Sequence, residues 1–406
     1  IIWGLTHSAA WVGFAGFAQL VPMALMGPLA GALADRHPRR RILMFTQSAQ
    51  AVVSVGFMAA WWAGVRSPWA YVLISVAAGV TAGLNLPAWQ AFVSELVPRE
   101  LLFDAITLNS IQFNTARMIG PVLAGVTVGA AGPGWAFFIN AASFGAVLVA
   151  LARIDTPDTV PRPDGRIRPV RDFVETIAYV RARPGIATAV GTVALIGLFG
   201  LAIQTMSVVL SEEVFDRGAE GFGLMLTMIG AGAVLSAPLV GSLGGRLARS
   251  RIQGVALFVY GFAVLGIALA PVFWLALPAL AMMGGAHLAS ASTLNTAIQL
   301  RVDEDRRAKV LALYLMALLL ANPVGQLVLG QLIELFGPRA AFAASGGALV
   351  AAAFALTLSG RLAHLDDEGG SYEPRVAAEV HPTMPVPGRG YQPAPSPSTT
   401  RSSPSR

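Results

Sequence analysis

The residues in this chain that could do chemistry are few, and most sit inside apolar runs. Arg117 stands midway along one such run, with Ser110, Asn114, Pro121 and Ala124 on the same helical face. An ionisable side chain at that depth is costly enough to imply a task. Two are open: contact with an anionic or hydrogen-bonding solute, or a structural role capping carbonyls or pairing across the molecule. His287, also near mid-run, could titrate around neutral pH or serve as a hydrogen-bonded packing residue. Gln19, Asn85, Gln204, Asn295, Asn322 and Gln326 add neutral polar groups that suit a polar-aromatic solute or join helices to one another. No Asp or Glu occupies the central part of any run, and Glu334 lies near an end. If protons are carried, the carrier is His287, a loop carboxylate, or a group ahead of Ile1.

This is the chemistry of recognition and proton handling, not of bond breaking. No acid, base and nucleophile converge, so no enzyme activity is expected. There is no cysteine, and the five histidines are scattered. Neither a metal site nor a cofactor is therefore expected. Gly230-Ala231-Gly232 superficially opens a nucleotide-binding glycine pattern, but it lies in an apolar run with no strand before it. No Walker loop is present.

The elements that must position these residues are membrane spans. With 55% hydrophobic and 12% charged residues, the chain cannot hide its apolar surface in one soluble core. Eleven runs of about 20 residues, long enough to cross the hydrocarbon, lie between charged breaks from residue 9 to residue 359. Of the 28 Lys and Arg, 24 fall in alternate breaks and the C-terminal tail. By the positive-inside rule those breaks are cytoplasmic. Trp11, Trp61, Trp62, Trp69, Trp135 and Trp274 mark the opposite ends, as interfacial rings should. The net charge of +6 is dispersed beside apolar segments, which suits anionic lipid rather than nucleic acid.

Parity then makes Ile1 to Leu5 the outer stub of a truncated first helix, in a parent of twelve. An internal repeat supports this count. Pro28-Leu29-Ala30-Gly31-Ala32-Leu33 matches Pro238-Leu239-Val240-Gly241-Ser242-Leu243, and Gly120, Gly125, Gly132, Pro133 and Phe137 recur as Gly325, Gly330, Gly337, Pro338 and Phe342. Two parallel six-helix halves are implied. Four regions follow: an N-terminal bundle (1–152), a linker (153–185), a C-terminal bundle (186–360) and a tail (361–406). In the linker, Val170, Phe173, Val174, Ile177 and Val180 have the spacing of an amphipathic helix lying on the membrane surface or the bundle. The Pro- and Ser-rich tail is expected to be disordered.

Gly31, Asp35, Arg36, Arg39, Arg40 and Arg41 form a glycine, Asp-Arg and basic cluster between two spans. They resemble the signature loop of the major facilitator superfamily. The resemblance implies that Asp35 gates by sitting against the N-terminus of the eleventh helix of the parent, which begins near Lys309. Gly120, Pro121 and Gly125 resemble the antiporter motif of drug-exporting members. Together with Leu108-Asn109-Ser110, Asn114 to Arg117, Phe138 to Phe144 and the stretch Phe173 to Arg183, they look like the enterobactin-exporter and macrolide-efflux branch. The arginine found in the fourth helix of many proton-coupled drug exporters is absent here.

What this implies is an all-α membrane protein of the major facilitator fold, with two pseudo-symmetric six-helix bundles, eleven complete spans and the first helix truncated. It would be a monomer in the cytoplasmic membrane, its C-terminus inside and its partners the bilayer and a small solute, with no nucleic acid. The expected activity is export of a siderophore, macrolide or other drug-like compound by alternating access, coupled to the proton gradient. An importer of the same superfamily and a non-transporting membrane scaffold or receptor are the alternatives.

Overall fold

The computed structural model describes residues 1–34, 36–154, 169–244, 246–304 and 306–366. Asp35, the first part of the linker and the proline-rich tail lie outside the described residues. A five-residue helix, α1 (Ile2–Thr6), ends at His7 in the left-handed conformation. It is followed by α2 (Ala9–Ala34), α3 (Arg39–Trp62), α4 (Pro68–Val93), α5 (Leu102–Ala131), α6 (Pro133–Arg153) and α7 (Pro169–Arg181). One continuous run, Pro184–Val214, then comprises α8 (Pro184–Ile196), a π-helical turn (Gly197–Leu201), α9 (Ala202–Val209) and a second π-helical turn (Leu210–Val214). The remaining helices are α10 (Gly218–Gly244), α11 (Arg249–Leu269), α12 (Phe273–Arg301), α13 (Arg307–Phe336) and α14 (Pro338–Leu358).

Ten of these helical runs are both long and apolar enough to cross a membrane. The eleventh expected span, α5, has 30 residues, about 45 Å of helix. It carries Asn109, Ser110, Gln112, Asn114, Thr115 and Arg117, too many polar groups for a helix surrounded by lipid. Proline at the first turn starts α4, α6, α8 and α14, where its missing N–H costs nothing. Between α5 and α6, and again between α13 and α14, a single glycine makes the turn. Gly132 and Gly337, 205 residues apart, have φ of 86° and 81°, a conformation that a side chain would disfavour.

The helices pack in two sets built alike. α2 lies on α4 and α3 on α6, while α10 lies on α12 and α11 on α14. The larger apolar core lies mainly in the second set, with Met206, Leu257, Leu280 and Phe342, and takes in Trp3, Ala9 and Val12; a smaller one joins Leu43, Ala88, Phe92 and Leu151. The sequence repeat reappears in the contacts. A methyl group on Gly79 of α4 would overlap the Gln19 carbonyl of α2, and one on Gly284 of α12 would overlap the Ile229 carbonyl of α10. These two pairs correspond under offsets of 210 residues for α2 and α10 and 205 for α4 and α12.

At the arginine-rich end, side chains tie helix ends together. The Arg39 guanidinium donates to Glu95 and to the Ala91 carbonyl at the end of α4. Arg40 donates to the Leu151 and Ala152 carbonyls at 2.7 and 2.9 Å, capping α6 with a cation where the helix dipole favours one. The linker helix α7 docks through Thr176, Tyr179 and Val180, which are buried, and leaves Phe173 and Val174 exposed. Its expected apolar stripe is thus only partly the face that packs; Val170 has no described side chain. Tyr179 Oη donates to Asp303 Oδ2 at 3.0 Å, and the Arg183 guanidinium lies 3.6 Å from the centre of the Tyr179 ring.

Replacing Gly284 by valine should lower the melting temperature of the purified protein, since overpacking of this kind costs about 1–3 kcal/mol. Gly27→Ala, where nothing lies within 4 Å, is the matched control and should melt as wild type.

Candidate functional site

The two sets of helices meet along two seams, α2 against α13 and α5 against α10. Both rest on glycines that admit a facing backbone. In the first seam Gly13 faces the Gln326 carbonyl, and a methyl on Gly330 would lie 2.7 Å from the Ala9 carbonyl oxygen. In the second, a methyl on Gly223 would lie 2.5 Å from the Pro121 carbonyl oxygen and one on Gly125 would lie 2.8 Å from that of Ala219. The seams are copies of each other: Gly13 and Gln326 correspond to Gly223 and Pro121, and Ala9 and Gly330 to Ala219 and Gly125, under the same offsets of 210 and 205. Pro121 and Gly125 of the antiporter-like motif are therefore seam residues. Gly120 faces open space.

All of these contacts lie toward the tryptophan-bearing end. There Glu334 Oε1 accepts a hydrogen bond from the Ala10 N–H at 3.2 Å, so a carboxylate of α13 caps the N-terminus of α2 across the seam. At the corresponding place in the other seam the side chain of Glu220 lies against Gly129. Thr227 Oγ1 adds a hydrogen bond to the Met118 carbonyl at 3.2 Å. Toward the arginine-rich end the same helix rows are uncovered. On α5, Ile111 is 58% and Phe103 79% exposed; on α10, Val234 is 42% exposed and Gly241 faces open space. Along this seam α5 and α10 meet toward the tryptophan-bearing end and part toward the other.

Arg117 sits where the α5–α10 seam gives way. It is exposed, and its guanidinium has no hydrogen-bond or ion-pair partner among the described residues. Its charge reaches two residues of the opposite set, His287 on α12 and Tyr260 on α11. The two rings meet edge to face with centroids 6.1 Å apart. Tyr260 Oη and His287 Nδ1 are buried without a hydrogen-bond partner among the described residues, as is Gln204 Nε2. Gly200, in the first π-helical turn, makes room for the Tyr260 hydroxyl. π-helical turns of this kind are common at functional sites, because they break the regular hydrogen-bond ladder of a span. An imidazole and a phenol thus meet edge to face on the second set, near enough to Arg117 to feel its charge.

The other expected site residues are placed differently. Thr46 Oγ1 donates to Asn85 Oδ1 at 2.8 Å, which engages Asn85 between α3 and α4. Asn295 accepts from Gln299 one turn along its own helix. Gln326 donates to Asn322 at 3.2 Å, and both belong to the α2–α13 seam side of α13. Gln19 is exposed, and its backbone carbonyl receives Gly79. The Asn114 side chain and Asp35 lie outside what is described; Gly31 is in the last turns of α2, and Arg36 is exposed in the turn that follows. Tyr260 was not among the expected residues. Its signal was available: it is the one ionisable residue inside the span Ile252 to Leu269.

With the seams and the central cluster in view, comparison with known proteins decides the family. A family model described as transmembrane secretion effector matches residues 1–383. The chain belongs to that family. It is a major facilitator transporter. It is 24% identical over 343 residues to the staphyloferrin A transporter of Staphylococcus aureus, covering 84% of this chain and 85% of that protein. It is 25% identical over 366 residues to the enterobactin exporter of Citrobacter koseri, covering 87% and 84%. Among solved structures, the nucleoside transporter NupG superposes with a TM-score of 0.70 at 15% identity, over 87% of this chain and 91% of that one. A D-xylose-proton symporter superposes with a TM-score of 0.68 at 15% identity, over 85% and 86%.

Removing the unpartnered hydroxyl with Tyr260→Phe should leave the melting temperature of this transporter unchanged or raised, because a buried polar group without a partner costs about 1–3 kcal/mol. If Tyr260 works with His287, the same variant should transport more slowly. Lowered melting with wild-type flux would make the tyrosine purely structural.

Proposed function

We propose that this chain exports a small organic solute of the siderophore type, with macrolides and other drug-like compounds as the wider substrate class, by alternating access in the cytoplasmic membrane. The observation that carries the reading is the placement of the Arg117, His287 and Tyr260 cluster at the boundary between closed and parted seams. A solute bound there is shut off from the tryptophan-bearing side and reachable from the arginine-rich side. With the arginine-rich side and the C-terminus in the cytoplasm, this is the state in which an exporter loads and an importer releases, and the relative named as an enterobactin exporter favours export. Siderophores are rich in carboxylates or catechols, and a planar guanidinium with no partner among the described residues is the donor fork that such groups require. The names of the enterobactin exporter and the staphyloferrin A transporter support the same substrate class. In this scheme His287 carries the coupling proton.

Transport by everted membrane vesicles under a pH gradient tests this, with enterobactin and staphyloferrin A as the probes. Wild type should accumulate at least one of them and dissipating the gradient should stop it; vesicles with wild type that behave as empty ones for both would refute the substrate class. Arg117→Ala should weaken affinity by about tenfold, about 1.4 kcal/mol, with Arg117→Lys intermediate. Unchanged affinity with a lowered melting point would remove Arg117 from the binding site. Orientation is checked separately. Because the chain has no cysteine, a Ser250→Cys variant should react with a membrane-impermeant maleimide only after cells are broken.

A further inference from the structure

On the side of the bundle a crevice of about 560 Å³ opens between α10, α11 and α12. α10 and α11 leave a common short turn and diverge, so that α12 forms the floor. There Gly232 and Gly284 hold α10 tightly to α12. Leu239 and Val240 on one side and Val255 and Val259 on the other form the walls. Leu235, on the rim, is 79% exposed, so the crevice faces the surroundings of the bundle and not its polar interior. It runs from mid-helix to the arginine-rich end, and Arg251 at that mouth is the one charged residue lining it among the described residues.

Arg251 is exposed and has no hydrogen-bond or ion-pair partner among the described residues. Its counterpart in the repeat, 210 residues earlier, is Arg41, which does have a partner. Nearby, Asp366 is taken up by the Ser250 N–H at 3.0 Å and caps the start of α11. Arg246 and Arg249 add further positive charge around the mouth. An apolar slot that ends, near the arginine-rich end of its helices, in a guanidinium with no partner among the described residues has the complementarity of a lipid: hydrocarbon inside, an anion at the mouth.

We propose that this crevice binds one anionic phospholipid from the adjacent leaflet, with an acyl chain between α10 and α11 and the headgroup phosphate on Arg251. The lipid would lie behind the parted half of α10, the helix that forms one seam with α5, and its presence would favour the parted arrangement at that end. Nothing in this site depends on which solute is carried, or on which side of the membrane the arginine-rich end faces.

Native mass spectrometry of the full chain in detergent, with phosphatidylglycerol and phosphatidylcholine at equal concentration, provides the test. Wild type should retain one phosphatidylglycerol severalfold more often than phosphatidylcholine. Arg251→Gln should reduce that preference to parity, and Arg251→Lys should restore most of it. Ala289→Phe, which puts a ring into the slot from α12, should lower retention of both lipids. Melting curves confirm that each variant is folded, which Arg251→Gln should be because the side chain it removes is exposed. Wild-type phosphatidylglycerol preference in Arg251→Gln would overturn the proposal, and so would unchanged lipid retention in Ala289→Phe. Displacement of the lipid by free glycerol 3-phosphate would also overturn it, since the mouth would then be a site for soluble phosphate.

Discussion

Close backbone contact through glycine is the constraint on which this transporter depends. At each seam a helix of one set lies so near a helix of the other that no side chain separates them; Gly13 and Gly330 secure one seam, Gly125 and Gly223 the other. In a membrane such contacts matter more than apolar burial, because lipid solvates a leucine as well as a neighbouring helix does. Packing of this kind is also all or none. A pair of helices either meets with the carbonyl in the glycine notch or parts, which suits a bundle that must alternate between two arrangements. Repetition of the same residue pairs under offsets of 210 and 205 gives the two seams the same backbone contacts.

The symmetry of the two seams is not complete. Glu334 reaches the N-terminus of α2 across one seam, while Glu220 in the other faces a glycine. Arg117, on α5, has no counterpart in the repeat: the position 205 residues on is Asn322. His287 and Tyr260 are likewise confined to the second set, where a π-helical turn gives the tyrosine its space. In the proposed function one set supplies the cation and the other the imidazole and phenol, and a solute bound between them touches both. That is the arrangement that lets binding energy act on the relative position of the two sets.

Much of the fold was legible in the sequence, because its signals are local. Apolar length and basic breaks mark the spans, and the recurrence of Gly132-Pro133 as Gly337-Pro338 exposes the repeat before any helix is seen. Arg117 and His287 were legible for the same reason, since a charge or an imidazole inside an apolar run stands out. Which polar residues converge was not, because that is decided by rotation about helix axes. Asn85 turned out to serve the contact between α3 and α4, and Tyr260 joined the cluster through a π-helical turn set by tertiary packing. The pairing of Arg39 with Glu95 likewise joins residues far apart in the chain, and spacing alone does not reveal it.

The glycine seams hold the two helix sets together at the tryptophan-bearing end. Spin labels at His7→Cys and Leu335→Cys, on exposed positions flanking the α2–α13 seam, report the distance directly. Measured by pulsed electron resonance in the otherwise cysteine-free protein, the wild-type background should give a single short distance. Adding the repeat-related pair Gly13→Leu and Gly223→Leu should shift the population to a longer one. An unchanged short distance in that variant, in protein that remains folded and monodisperse, would contradict the account.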